Sequence, residues 1–168
     1  MRTILPCLTL LSLLCIGAGA KEPQSLSATV DGDRFAGDDH TILLVPLPSG
    51  EFSLQAATAG AASYPPPKTP VDRLSIMCQG YVPGKAMKLG SKEFATSGCN
   101  ATFTKAAAEA GKEAEEYSLD KRNPDTLFEV TAAHGKVSEG RFEFHMKNKA
   151  GKALVVSGGA FVIEDRQL

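Results

Sequence analysis

The densest group of metal-ligating side chains in this 168-residue sequence is Asp31, Asp33, Asp38, Asp39 and His40. A calcium loop supplies oxygens at alternate positions and closes them with a later glutamate. After Asp31 and Asp33 the next alternate position is Phe35, which has no oxygen to offer. The EF-hand pattern therefore fails, and a solvated turn is expected. His134 and His145 flank a predicted hairpin. Pairing around a turn over 135–140 would set His145 roughly opposite Val130, several residues from His134 and beside Arg141 and Glu143 on a polar face. Nucleophilic catalysis needs a serine or cysteine beside a base. There is no Gly-x-Ser-x-Gly, and no alternation of strands and helices to display one. Glu115 and Glu116 lie on the exposed face of a predicted helix and read as solvation rather than a glycosidase pair. Asn100-Ala101-Thr102 matches a glycosylation sequon, which matters only in a eukaryotic secretory pathway. No catalytic residue, cofactor or metal site is assigned.

The four cysteines divide by position. Met1-Arg2-Thr3 opens the chain with a positive charge, Ile4 to Ile16 is apolar, and Gly17-Ala18-Gly19-Ala20 precedes the charged Lys21-Glu22. Small residues at Ala18 and Ala20 suit signal peptidase, so residues 1–20 read as an export signal. The apolar run is well short of the roughly 20 residues that cross a bilayer. Lipid anchoring at Cys15 would need a small residue before it, and Leu14 stands there. Cleavage removes Cys7 and Cys15 and leaves Cys78 and Cys99, which an exported chain is expected to join. They form no C-x-x-C motif, and no histidine lies near either in sequence.

Residues 21–168 are enough for one domain with its own core. Loss of Arg2 takes the formal charge from −1 to −2. Near-neutrality argues against nucleic acid as a partner. Nor is there a long basic run for a membrane surface.

The elements that would position any site are mostly strands. Leu26 to Val30 alternates and ends at the turn Asp31-Gly32-Asp33, with Phe35 as a core residue. Thr41 to Leu47 and Phe52 to Ala56 read as a hairpin around Pro48-Ser49-Gly50. Residues 58–70, with Tyr64-Pro65-Pro66-Pro67, read as a stiff loop of polyproline character. Leu74 to Val82 and Ala86 to Leu89 are further strand candidates, and 90–98 is weakly patterned. Over 101–117, Phe103, Ala107, Ala110, Ala114 and Tyr117 fall three or four apart, which predicts a helix capped by Asn100 or Thr102, with Lys105 and Glu109 paired on its other face. Gly111 weakens that helix by about 1 kcal/mol. From Phe128 onward strict alternation through Phe142-x-Phe144-x-Met146, Leu154-Val155-Val156, Phe161 and Ile163 predicts an antiparallel meander with one buried face.

Two stretches carry a resemblance. The opening Ala28-Thr29-Val30-Asp31-Gly32-Asp33-Arg34-Phe35 resembles the start of certain functionally uncharacterised exported bacterial β-sandwich proteins. So do Gly140-Arg141-Phe142-Glu143-Phe144, the Gly151-Lys152 turn, Val155-Val156 and Gly159-Ala160-Phe161 near the end. The resemblance covers about half of residues 21–168 and implies a sandwich fold and an envelope location. It lends no site residues.

The expectation is a mainly β protein, an antiparallel β-sandwich or curled sheet with one helix near 101–117, exported to the periplasm or secreted. Its expected role is a binding or inhibitory module meeting a protein or a cell-wall polymer through its loops, with Tyr64, Pro66 and Tyr81 as candidate contacts. The alternative is an envelope hydrolase whose site is assembled across the sheet, since many serines and three histidines permit a triad in space.

Overall fold

The computed structural model describes residues 24–47, 49–60, 70–96, 98–109 and 112–164. Within them lie eleven strands and one short helix, in the order β1 (Ser25–Val30), β2 (Asp33–Ala36), β3 (Leu43–Pro46), β4 (Glu51–Ala57), β5 (Arg73–Gln79), β6 (Met87–Gly90), α1 (Ser91–Thr96), β7 (Asn100–Lys105), β8 (Glu115–Leu119), β9 (Leu127–His134), β10 (Val137–Lys147) and β11 (Ala153–Glu164). All the pairings are antiparallel, and the sheet runs β2-β1-β11-β10-β8-β7-β5-β4-β3, with β9 and then β6 branching from β10. It is strongly curled into a half-barrel. No helix among the described residues is long and apolar enough to cross a membrane.

The sheet branches along β10. β10 pairs with β9 along Val137–Glu143 and with β8 at Met146 and Lys147, so β8 and β9 lie end to end along one edge of it. Their partners β7 and β6 also run end to end. Residues 120–126 interrupt the first line and α1 interrupts the second. The sheet divides there, and Phe94 of α1 fills the division, fully buried against Phe144 at 5.9 Å. The carboxylate of Glu93 accepts the Gly90 N–H at 2.9 Å, as in a capping box, and Gly98 at φ 70° follows the helix.

The predicted helix over 101–117 is corrected: Asn100–Lys105 and Glu115–Leu119 are strands of one hairpin. Phe103 and Tyr117, spaced like two ends of a helical stripe, face each other across it, as do Lys105 and Glu115. Three- and four-residue spacing among alanines carries little information, because alanine buries little area. Alternation of Ala101 and Phe103 inward with Thr102 and Thr104 outward decides the structure. The expected turn over 135–140 is also shorter. Only Gly135 and Lys136 turn, and His134 pairs directly with Val137. His145 therefore lies beside Val155, and Gly140 is the residue opposite Val130.

All eight phenylalanines are buried, none more than 4% exposed. Tyr81, Phe52, Phe128, Phe161, Phe142, Phe144 and Phe94 form a continuous chain of rings, with successive centroids 5.4–6.5 Å apart, the usual range for aromatic pairs. The chain passes through a reciprocal device: Gly140 pairs with Phe161 and Gly159 with Phe142, so each ring lies over the other strand's glycine. A bulge beside Gly158 (φ 59°) switches the inward parity of β11 from Leu154 and Val156 to Phe161 and Ile163.

The rim is stitched by polar groups. Gln24, 7% exposed, donates its side-chain amide to the Ile42 carbonyl at 3.3 Å and accepts from the Glu164 N–H at 3.1 Å. Gly37 bridges Thr58, bringing the end of β2 against the end of β4. Cys78 and Cys99 are disulfide-bonded with Cα atoms 4.2 Å apart, one step beyond the Met77–Asn100 pair. The bond ties the chain to β5 where it leaves α1 and enters β7.

Candidate functional site

The outward residues of β4, β5 and β7 form rows across the sheet. Gln55 pairs with Ser75, Ser75 with Thr102, and Thr102 with Ser118 of β8. One step along the strands, Arg73 pairs with Thr104, and Thr104 with Glu116. They point outward because the residues between them (Leu54, Ala56, Leu74, Ile76, Ala101 and Phe103) are all in the core. Over these rows lies a groove of about 350 Å³ with Thr41, Gln55, Arg73, Ser75, Thr102 and Thr104 as its polar lining. That volume is at the lower end of the roughly 300–1,000 Å³ of small-ligand clefts.

Chemically the lining offers hydroxyls, a carboxamide and a guanidinium. Hydroxyl and carboxamide groups both donate and accept, whereas the guanidinium only donates. Thr41 is committed: its hydroxyl donates toward the Asp38 and Ala57 carbonyls, each at 2.8 Å, and accepts the Ala57 N–H at 3.0 Å. Asp72, next to Arg73, has its carboxylate on the Ala106 N–H at 2.9 Å. At the groove β5 and β7 are paired with strands on both sides, and the far side of β4 is covered by β3 as far as Gln55 and by Thr41 and Asp38 at Ala57, so a ligand there meets side chains and not a strand edge. Among the described lining residues there is no carboxylate, imidazole or thiol, which suits hydrogen-bonded recognition rather than proton transfer.

Elsewhere several titratable groups hold the fold. Asp31 accepts the Val155 N–H at 2.9 Å, Asp38 the His40 N–H at 3.0 Å and Asp39 the Gln24 N–H at 3.0 Å. Three of the four aspartates of the acidic opening are thus used on backbone donors, and no group of three metal-ligating side chains occurs among the described residues. His145 has Asp125 at 4.0 Å and is far from His134, which pairs with Val137 eight residues earlier on β10, about 27 Å away along the strand. Tyr117 donates to the Glu115 carboxylate, and Lys152 reaches the same carboxylate at 2.9 Å while lying over the Tyr117 ring. Tyr117 and then Lys152 hold the Glu115 carboxyl below its ordinary range. Burial, then Glu115, pushes the Tyr117 phenol up, and Glu115 raises Lys152. A lysine held protonated and a phenol held neutral make a clasp between β8 and the β10–β11 turn, not a base.

A second hollow, about 340 Å³ over β6 and β9, includes Lys88 and Glu129. Glu129 is committed to Arg141 at 2.7 Å.

Of the three candidate contact residues, Tyr64 and Pro66 lie outside the described residues. Tyr81 is corrected from a loop contact to a core residue. It is 5% exposed, its ring lies 5.4 Å from that of Phe52, and its hydroxyl is 3.5 Å from that of Ser138. An aromatic two residues past a disulfide-held strand continues the apolar face rather than leaving it. The groove residues were missed at the level of sequence. Their signal was the outward half of the alternation (Gln55, Arg73, Ser75, Thr102, Thr104), of which Thr102 and Thr104 were assigned to a helix.

No family model matches the chain, and neither the curated proteins nor the solved structures include one similar to it.

Proposed function

We propose that this protein is an exported binding module of the cell envelope, acting on a protein or cell-wall polymer without turning it over. The observation that carries the reading is the outward groove over β4, β5 and β7, where Gln55, Arg73, Ser75, Thr102 and Thr104 offer hydrogen-bonding groups and no carboxylate, imidazole or thiol stands among the described lining residues. The setting supports it. A filled aromatic core and a disulfide between Cys78 and Cys99 hold the three strands rigid beneath the groove, and a rigid platform lowers the entropy cost of binding. The disulfide suits an oxidising compartment, in keeping with the export signal read in residues 1–20. The 58–70 connection starts and ends beside the groove, where the Thr58 N–H donates to the Asp72 carbonyl at 3.0 Å.

The test is retention of envelope and secreted fractions on the immobilised protein, compared with Ser75→Trp, which fills the groove from an outward position. The reading expects a saturable ligand retained by the wild type and lost by the variant. Equal retention by both would remove the groove from the account. Release of a cleaved product would favour the hydrolase alternative.

A further inference from the structure

We infer that the groove over β4, β5 and β7 takes a short segment of an anionic saccharide, with Arg73 on its acidic group and Gln55, Ser75, Thr102 and Thr104 on its hydroxyls; this rests on the binding reading above. Three observations select that chemistry. Because β4, β5 and β7 are interior strands, a peptide cannot add to the sheet at this place. The side chains that point outward there are polar, with apolar surface added by Ala56, Ala57 and Leu74, and among the described residues none is an aromatic anchor of the kind on which protein interfaces depend. Hydroxyl and carboxamide groups that both donate and accept match a ligand whose own hydroxyls do the same.

The charge follows from Arg73. It lies exposed in β5 without an ion pair to any described residue, although Arg141, Lys147 and Lys152 each have a carboxylate at 2.7–2.9 Å. Its sequence neighbour Asp72 is bound to a backbone N–H. The acidic side chain on its own row, Glu116, is two strands away, about 10 Å. A guanidinium so placed presents a planar fork suited to a carboxylate or phosphate.

The experiment follows backbone amide shifts of the protein titrated with trigalacturonate, with neutral maltotriose and with acetate alone. Trigalacturonate is expected to shift amides of Gln55, Arg73, Ser75, Thr102 and Thr104, and to bind less tightly as salt rises. Arg73→Gln should weaken it at least about tenfold and remove most of the salt dependence, while maltotriose binds both forms alike. Arg73→Lys, which keeps the charge but not the fork, should fall between. Both variants are at an outward position and should unfold at the wild-type urea midpoint. Equal binding of maltotriose and trigalacturonate would overturn the anionic claim and leave the groove as the binding surface. Acetate binding as well as trigalacturonate would reduce the site to an anion contact. Absence of trigalacturonate binding at about 10 mM, or shifts centred away from these strands, would overturn the inference itself. In that case retention of envelope material by the wild type and not by Ser75→Trp would still sustain the binding module.

Discussion

A methyl group added at Gly140 would overlap the Glu129 carbonyl oxygen and the Phe161 ring, and one at Gly159 would overlap the Phe142 ring. Both places are held by rings and paired backbone, so neither can yield cheaply. Gly140→Ala is expected to destabilise the protein by about 3 kcal/mol or more, read as a lower urea midpoint, whereas Gly151→Ala meets only open space and costs mainly the strain of its positive φ (81°). The charges give a second prediction. Glu115 (ordinary value 4.5) is held down by Tyr117 and Lys152, Asp120 (3.8) by Lys147, and Glu93 (4.5) by the Gly90 N–H. A carboxyl lowered on folding adds stability that is complete above its ordinary value and is lost as pH falls through the lowered one. Tyr117 and Lys152 are raised from 10.0 and 10.5, so their contributions are complete below those values and vanish as pH rises through the raised ones. Unfolding free energy should therefore be level between about pH 5 and 9 and decline on either side. Glu115→Gln should flatten both limbs, and a variant curve parallel to wild type would break the clasp account. At this scale the sequence was partly legible: the two Gly-x-Phe motifs stood out, but that each glycine receives the other strand's ring depends on register.

At the scale of elements, the Asn100–Lys105 and Glu115–Leu119 hairpin makes the sharpest test. In the hairpin Phe103 and Tyr117 are direct cross-strand partners. In a helix, fourteen positions apart, they would be about 21 Å distant and independent. A double-mutant cycle on Phe103→Leu and Tyr117→Leu should show a coupling of about 0.5–1 kcal/mol in equilibrium unfolding, and zero coupling would contradict the pairing. Strands whose inward residues are large were readable in advance, as in β1, β4, β5, β10 and β11. The division of the sheet at α1 and 120–126 was not, because its causes are a six-residue helix and a turn segment with weak patterns of their own. The cue present was Gly90-x-x-Glu93 followed by Gly98, a small N-cap with its reciprocal glutamate and a left-handed stop. The ends of the sheet are protected by ordinary means: β3 ends in Pro46, β2 carries Asp33 and Arg34, and β6 carries Lys88.

For the whole molecule, the half-barrel holds one surface rigid at three levels: packed rings within, Gln24 and the Gly37–Thr58 bridge along the rim, and the disulfide at the base of β7. The Cys78–Cys99 bond spans 21 residues and should contribute about 3 kcal/mol, lost on reduction and visible as a lower urea midpoint without a change of β content in circular dichroism. The mainly β class and the pairing of the two cysteines were available from alternation and composition. The groove was not, because it arises where outward residues of three strands distant in sequence come into one register. An amide-shift map of the protein with the envelope fraction it retains decides whether the groove is the binding surface. Shifts should concentrate on Gln55, Ser75, Thr102 and Thr104, with the ligand's own signals unchanged over time. Shifts confined to other strands or loops, or ligand signals replaced by those of a product, would contradict the binding reading.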